Sequence, residues 1–275
     1  MLRPRTANWH LSSVRSVRHA VRVQLLVPRQ SRHIIQTTHW LKSQAVPLAT
    51  ASTRKLSAQA GRLRGIGLCC FLEVAGGILE EPADLRFHAD GTVSLHVGAQ
   101  AIGQGHLSTY PALIAQRLGI DVSNVRLVAG DSDQTPGIVA TVASRSTMMV
   151  GSAAALACDE SIRRGKFWAA RHLEATVEDI HFDRGVYSVV GTDRSVRLLD
   201  LARISHESPQ AVLDELPRLD NVAKFTSPSM TYPNGCHVCE VEIDPATGQV
   251  SVQSYAAVDD VGVMLNPEVI EGQIM

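Results

Sequence analysis

Leu85-Arg86-Phe87-His88-Ala89-Asp90-Gly91-Thr92-Val93-Ser94-Leu95-His96-Val97 alternates apolar and polar residues on either side of an Asp-Gly pair. Asp-Gly favours the positive-φ turns whose twist matches two antiparallel strands, so the stretch reads as a hairpin with Val93, Leu95 and Val97 on one face. Upstream, Ile66 to Val74 is an apolar run fit for a buried strand, ended by Gly76-Gly77. Downstream, helical spacing from Leu107 to Leu118 precedes a strand at Val125 to Ala129. A long helix then runs from Ser146 to Ala175, and its Gly151-Ser152-Ala153-Ala154-Ala155 allows close packing. Phe182-Asp183-Arg184-Gly185-Val186-Tyr187 reads as a second hairpin and Leu198 to His206 as a short helix. Cys236 to Ile243 pairs with Val250 to Val258 across Asp244-Pro245-Ala246-Thr247-Gly248. The class is α+β, with mixed or antiparallel sheets and packed helices.

At 275 residues and 45% apolar content the chain buries a sizeable core, and it has no apolar run long enough to span a bilayer. The net charge of −1 hides an asymmetry: twelve of the 26 Lys and Arg fall in residues 1–72, which hold no acid, while all 27 acids follow from Glu73 onward. Residues 1–60 lack sustained periodicity and read as a basic, poorly ordered segment outside the domain, with 61–275 as the folded part. Their composition is that of an organellar transit peptide or of a wrongly placed start. The basic patch Val14-Arg15-Ser16-Val17-Arg18-His19-Ala20-Val21-Arg22-Val23 has no interleaved aromatic residues, which argues against nucleic-acid binding. The five cysteines, Cys69, Cys70, Cys158, Cys236 and Cys239, do not make a secreted disulfide framework; a reducing compartment, the cytoplasm, is the expectation.

Two stretches carry candidate chemistry. Gly103-Gln104-Gly105-His106 and Thr141-Val142-Ala143-Ser144-Arg145-Ser146-Thr147 each stand where a loop runs into a helix, and a helix start presents unpaired N–H groups and a positive dipole end to an anion. A pair of such starts suggests a phosphate-bearing cofactor held between them. Gln104 has a donor and an acceptor to present, and Ser144, Ser146 and Thr147 can either cap the helix or bind an oxygen ligand. Cys236-His237-Val238-Cys239 invites a metal reading, but in a strand positions three apart face opposite ways, so the two thiols are taken as structural. Asp131, Asp133, Asp259 and Asp260 stand at strand ends without EF-hand spacing, and read as turn acids.

In this order and spacing the residues resemble the second molybdopterin-binding domain of molybdenum hydroxylase large subunits, the group of xanthine dehydrogenase, aldehyde oxidase and aerobic carbon monoxide dehydrogenase. The matching stretches begin with Gly61-Arg62-Leu63-Arg64-Gly65-Ile66-Gly67 and Gly103-Gln104-Gly105-His106. They continue with Gly130-Asp131-Ser132-Asp133-Gln134-Thr135-Pro136, Ala143-Ser144-Arg145-Ser146-Thr147 and Gly191-Thr192-Asp193-Arg194-Ser195. The last are Cys236-His237-Val238-Cys239-Glu240-Val241-Glu242-Ile243-Asp244-Pro245-Ala246-Thr247-Gly248 and Val258-Asp259-Asp260-Val261-Gly262-Val263-Met264-Leu265-Asn266-Pro267.

The resemblance implies an oxidoreductase domain that binds molybdopterin, as such or as its cytosine dinucleotide, with iron–sulfur clusters and FAD carried by partner subunits. Gln104 would approach the molybdenum centre, and Ala143, Ser144, Arg145, Ser146 and Thr147 would wrap the pterin and its phosphate. Gln273 would contact the pterin. The cofactor's own dithiolene holds the metal, so no protein ligand to it is expected. Ala140 and Ala143 stand where the family usually has glycine. The family's general-base glutamate and first molybdopterin domain have no counterpart in these residues, so the expectation is a fragment of a hydroxylase subunit, inactive alone. The alternative expectation is a non-catalytic scaffold that keeps the fold.

Overall fold

The computed structural model describes residues 21–25, 51–77, 80–137 and 139–274. They form two compact units. The first is built from a sheet in the order β1-β11-β10-β2, made by β1 (Val21–Leu25), β11 (Val250–Asp260), β10 (Asn234–Ile243) and β2 (Leu63–Leu72), together with helix α1 (Ala51–Gln59). β10 and β11 are the hairpin expected across Asp244 to Gly248, in antiparallel register from Asn234 opposite Asp260 to Ile243 opposite Val250, and β1 lies parallel to β11. β1 and α1 both fall inside the segment 1–60. The rest of that segment, with most of its basic patch, lies outside the described residues.

β2 forms where the apolar run predicts a strand, but the run is not buried: Leu68 is 63% and Leu72 58% exposed. Exposure runs through odd and even positions of this edge strand alike, so neither of its faces is closed. A continuous apolar run signals a strand covered on both faces only where a layer lies on each. α1 is tied to the same sheet by polar contacts, Ser57 Oγ donating to Glu242 Oε2 at 2.6 Å, and Arg64 Nε on β2 donates to Glu240 Oε1 at 2.6 Å.

The second unit holds the larger core. Its main sheet runs β5-β4-β3-β9, from β5 (Val125–Ala129), β4 (Val93–Val97), β3 (Glu80–Phe87) and β9 (Asn221–Thr226). β3 and β4 are the Asp90-Gly91 hairpin, with Phe87 opposite Val93, while β4 and β5 are parallel, so the sheet is mixed. Helices α2 (His106–Leu118) and α3 (Ser146–His172) pack with it: Tyr110, Ile114 and Leu118 of α2 and Val150, Ala153, Ala154 and Ala157 of α3 are buried in one cluster with Ala83, Leu85 and Phe87 of β3. The small-residue half of α3 packs as its composition predicts. α3 ends at His172 rather than Ala175, because Glu174 takes a left-handed φ of 51° and Ala175 N–H then turns back to the Ala170 carbonyl at 2.9 Å.

The remaining elements are a meander of β6 (Ile180–Asp183), β7 (Val186–Val189) and β8 (Ser195–Arg197), then α4 (Leu198–Glu207), α5 (Gln210–Glu215) and α6 (Pro267–Ile274). Among the described residues no helix is long and apolar enough to cross a membrane.

Candidate cofactor-binding site

The two helix starts singled out by sequence lie in the second unit and are linked by one backbone carbonyl. Gln100 O accepts from Gln104 Nε2 at 2.8 Å and from Thr141 Oγ1 at 3.0 Å, so the Gly-Gln-Gly loop and the loop before α3 meet there. Gly103 and Gly105 have φ of 103° and 86°, a region that costs glycine nothing, and Gly105 caps α2 without any side-chain bond. A Cβ on Gly105 would stand 2.8 Å from Val269 Cγ1 of α6, so this glycine also lets α6 come close. Asn266 Nδ2, just before α6, reaches Ser108 Oγ of α2 at 3.4 Å.

The start of α3 is built differently. Ala143 and Ser144 hold φ of 55° and 50°, which side chains with a Cβ adopt at a cost. The resemblance predicts glycine at position 143, and a left-handed φ there is the conformation glycine would take freely. Arg145 caps α3 with no side-chain bond to its N–H groups. The result at both helices is a set of open donors: the backbone N–H groups of Gly103, Gln104, Gly105, His106, Ser144, Ser146 and Thr147 make no hydrogen bond to another described residue. Unpaired N–H groups at a helix start favour an anion by geometry and by dipole. Ser144 and Thr147 are exposed and Ser146 is buried.

Three of the expected site residues are placed otherwise than their sequence suggests. The Gln104 carboxamide folds onto its own loop, with Oε1 accepting from Ile102 N–H at 2.7 Å besides the Nε2 bond to Gln100 O. One amide hydrogen and one lone pair remain for a ligand. The Arg145 guanidinium turns inward, 4% exposed, to Glu81 of β3, with Nη2 to Oε2 at 2.7 Å, and its backbone N–H donates to Val142 O at 3.2 Å. Nη1 and Nη2 of Arg145 are thus engaged beneath the loop. The His106 ring is 6% exposed and stacks at 4.7 Å on Tyr110, and burial pulls its pKa below the ordinary value against the Gln100 carbonyl. Gln273 is exposed on α6, the helix whose Val269 touches Gly105.

Sequence reading passes over Glu81, Gln100 and Tyr110. Tyr110 is fully buried with its hydroxyl beside Ser146, and its pKa is driven up by burial and then by the Glu81 charge. The available signal was Glu81 itself, an acid in the same alternating row of β3 as Ala83, Leu85 and Phe87. An acid in such a row requires a buried cation.

Of the acids expected at turns, Asp259 departs from that reading and is buried within β11. Asp131 Oδ1 accepts from Asp133 N–H at 2.9 Å, as a turn acid does. Strand alternation buries Cys236 and leaves Cys239 half-exposed; the thiol of Cys236 lies 3.2 Å from that of Cys70 on β2. His237 bridges Tyr255 Oη at 2.6 Å and Asp259 Oδ1 at 3.0 Å along the β10–β11 hairpin. Among the described residues no group of three or more His, Cys, Asp or Glu is placed to hold a metal ion.

Residues 44–275 match the molybdopterin cofactor-binding domain family. The chain belongs to that family. It is 34% identical over 238 residues to the carbon monoxide dehydrogenase large chain of Hydrogenophaga pseudoflava, covering 82% of this chain and 29% of that one. It is 29% identical over 230 residues to the nicotine 6-hydroxylase large subunit of Paenarthrobacter nicotinovorans, covering 78% and 28%. Among solved structures, CO dehydrogenase from Oligotropha carboxidovorans superposes with a TM-score of 0.73 at 30% identity, over 86% of this chain and 30% of that one. Quinoline 2-oxidoreductase from Pseudomonas putida 86 gives 0.74 at 28%, over 87% and 32%. The chain thus spans less than a third of the length of these relatives. The α+β class, the family and its molybdopterin cofactor stand as the sequence suggests.

Proposed function

We propose that this chain supplies one wall of a molybdopterin site in a molybdenum hydroxylase-type oxidoreductase. The carrying observation is the pair of helix starts, joined through Gln100 O, whose backbone N–H groups have no described partner although they belong to folded elements. A helix start leaves its first N–H groups open to water or to a ligand, and a pterin with its phosphate has acceptors of the right kind. The donor set fits the group: two helix N-termini for the anionic end, and the Gly103 and Gly105 backbone free of any Cβ for close approach.

In this reading Gly103, Gln104, Gly105 and His106 offer backbone N–H groups and the spare amide hydrogen of Gln104. Ala143, Ser144, Ser146 and Thr147 offer backbone and hydroxyl groups around the pterin and its phosphate, Arg145 holds that loop from below, and Gln273 approaches along α6. The cofactor when bound supplies the redox-active metal centre; the residues bind it, orient it and exclude water from its phosphate. The cytosine dinucleotide form, iron–sulfur and FAD on partner subunits, a further molybdopterin domain completing the substrate pocket, and a cytoplasmic location complete the reading.

The test is the cofactor content of the purified full chain, measured as molybdenum by elemental analysis and as fluorescent oxidised pterin. About one of each per chain is expected. A chain that carries neither, and takes up neither when supplied, overturns the reading. It then favours the alternative of a non-catalytic scaffold, which the engagement of Gln104 with its own loop supports.

A further inference from the structure

We propose that Glu81 is a positioning residue: through its buried ion pair with Arg145 it fixes the backbone at the start of α3 and so aims the donors of Ser144, Ser146 and Thr147. What those donors hold rests on the reading above; the fixing of the loop does not.

Glu81 is 1% and Arg145 4% exposed, and Oε2 lies 2.7 Å from Nη2. The guanidinium's other arm, Nη1, donates to Ala140 O at 3.4 Å, and the Arg145 backbone N–H donates to Val142 O at 3.2 Å. One residue thus ties strand β3 to two carbonyls of the loop. Gly76 N–H adds a third tether at the Ala143 carbonyl, at 3.1 Å. Between these anchors sit Ala143 and Ser144, both in the left-handed region without the freedom of glycine. Such a conformation persists only where the surroundings over-determine it. α3 has no side-chain cap to do this.

A buried ion pair is a poor source of net stability, because desolvation offsets its attraction. Burial indeed pushes the Glu81 carboxyl above its ordinary range, and the Arg145 charge is what opposes it. The consequence of the pair is geometric: Glu81 continues the inward row of β3, so Arg145 is drawn under the loop and its peptide is held immediately before the open N–H groups of Ser146 and Thr147.

The experiment compares the full chain with Glu81→Gln and with the double variant Glu81→Gln/Arg145→Met, reading amide hydrogen exchange, thermal midpoint and pterin content. Glu81→Gln is expected to speed exchange across residues 141–147 by roughly tenfold or more while β4 and the middle of α3 stay protected. Its pterin content is expected to fall at least several-fold. The double variant carries no uncompensated buried charge, so its midpoint is expected to return toward the starting value while the loop stays fast. It also gives the answer if the single variant does not fold. Unchanged loop exchange in the variants, or a double variant that restores loop protection along with the midpoint, overturns the proposal. Loop loosening in a starting chain that neither holds nor takes up pterin leaves the positioning role standing and overturns only the cofactor reading.

Discussion

At the scale of single residues, the clearest commitments are made where a side chain has no room or no water. Gly165 of α3 faces Tyr187 of β7, and a Cβ there would fall on the Tyr187 hydroxyl, which itself donates to Ile162 O at 3.1 Å. Alanine has the better helix propensity by about 1 kcal/mol, yet overpacking a buried ring costs roughly 1–3 kcal/mol. Gly165→Ala is therefore expected to lower stability in urea unfolding; a raised midpoint would show that the ring moves aside freely. Cys158, also on α3, is fully buried, and burial pushes its thiol up to about 12. Only the thiolate is nucleophilic. Iodoacetamide at neutral pH is expected to modify the exposed Cys69 and Cys70 and to spare Cys158 until denaturant is added, and early alkylation of Cys158 in folded protein contradicts this.

Elements were legible where one face decides them and illegible where a distant partner does. The Asp90-Gly91 hairpin, α2, β5, α3 and the β10–β11 pair follow from local period and turn chemistry. β9 does not: it begins at Asn221, whose Nδ2 donates to Ala157 O at 3.1 Å and Ser161 Oγ at 2.7 Å, so α3 rather than its own pattern holds it. The short α5 and β8 have too few residues for a period. The site shows the same division, since glycine pairs and hydroxyls before helices are visible in sequence, whereas the Glu81–Arg145 pair joins positions 64 residues apart only through the packing of β3 beneath α3. On α3 itself, Arg163 first and then Arg164 hold Glu160 down to about 2. A carboxyl with a lowered folded pKa contributes stability above its unfolded value, near 4.5, and loses it as pH falls through about 2. The pair is part-exposed, so its share is small, about 0.3–0.5 kcal/mol. Glu160→Gln is expected to lower stability slightly at pH 7 and by less at pH 2; an equal loss at both would assign the effect to packing.

At the scale of the whole molecule, the two units differ in how well they cover their apolar surface. The second encloses Leu85, Leu95, Tyr110, Ile114 and Leu118 completely, at 1% exposure or less. In the first, Leu63 and Leu68 of the edge strand β2 and Val250 of β11 are each 58–63% exposed. An apolar edge strand pairs readily with other chains, and natural proteins blunt such edges with charge. β2 carries one charge, Arg64, and that is drawn to Glu240. The isolated chain is therefore expected to bind a hydrophobic dye and to sediment as concentration-dependent oligomers. Leu68→Lys places a charge on the exposed edge, where it breaks no buried contact, and is expected to reduce both dye binding and association without lowering the melting temperature. Association unaffected by Leu68→Lys would move the sticky surface away from β2, and a fall in melting temperature would mean that Leu68 is covered in solution.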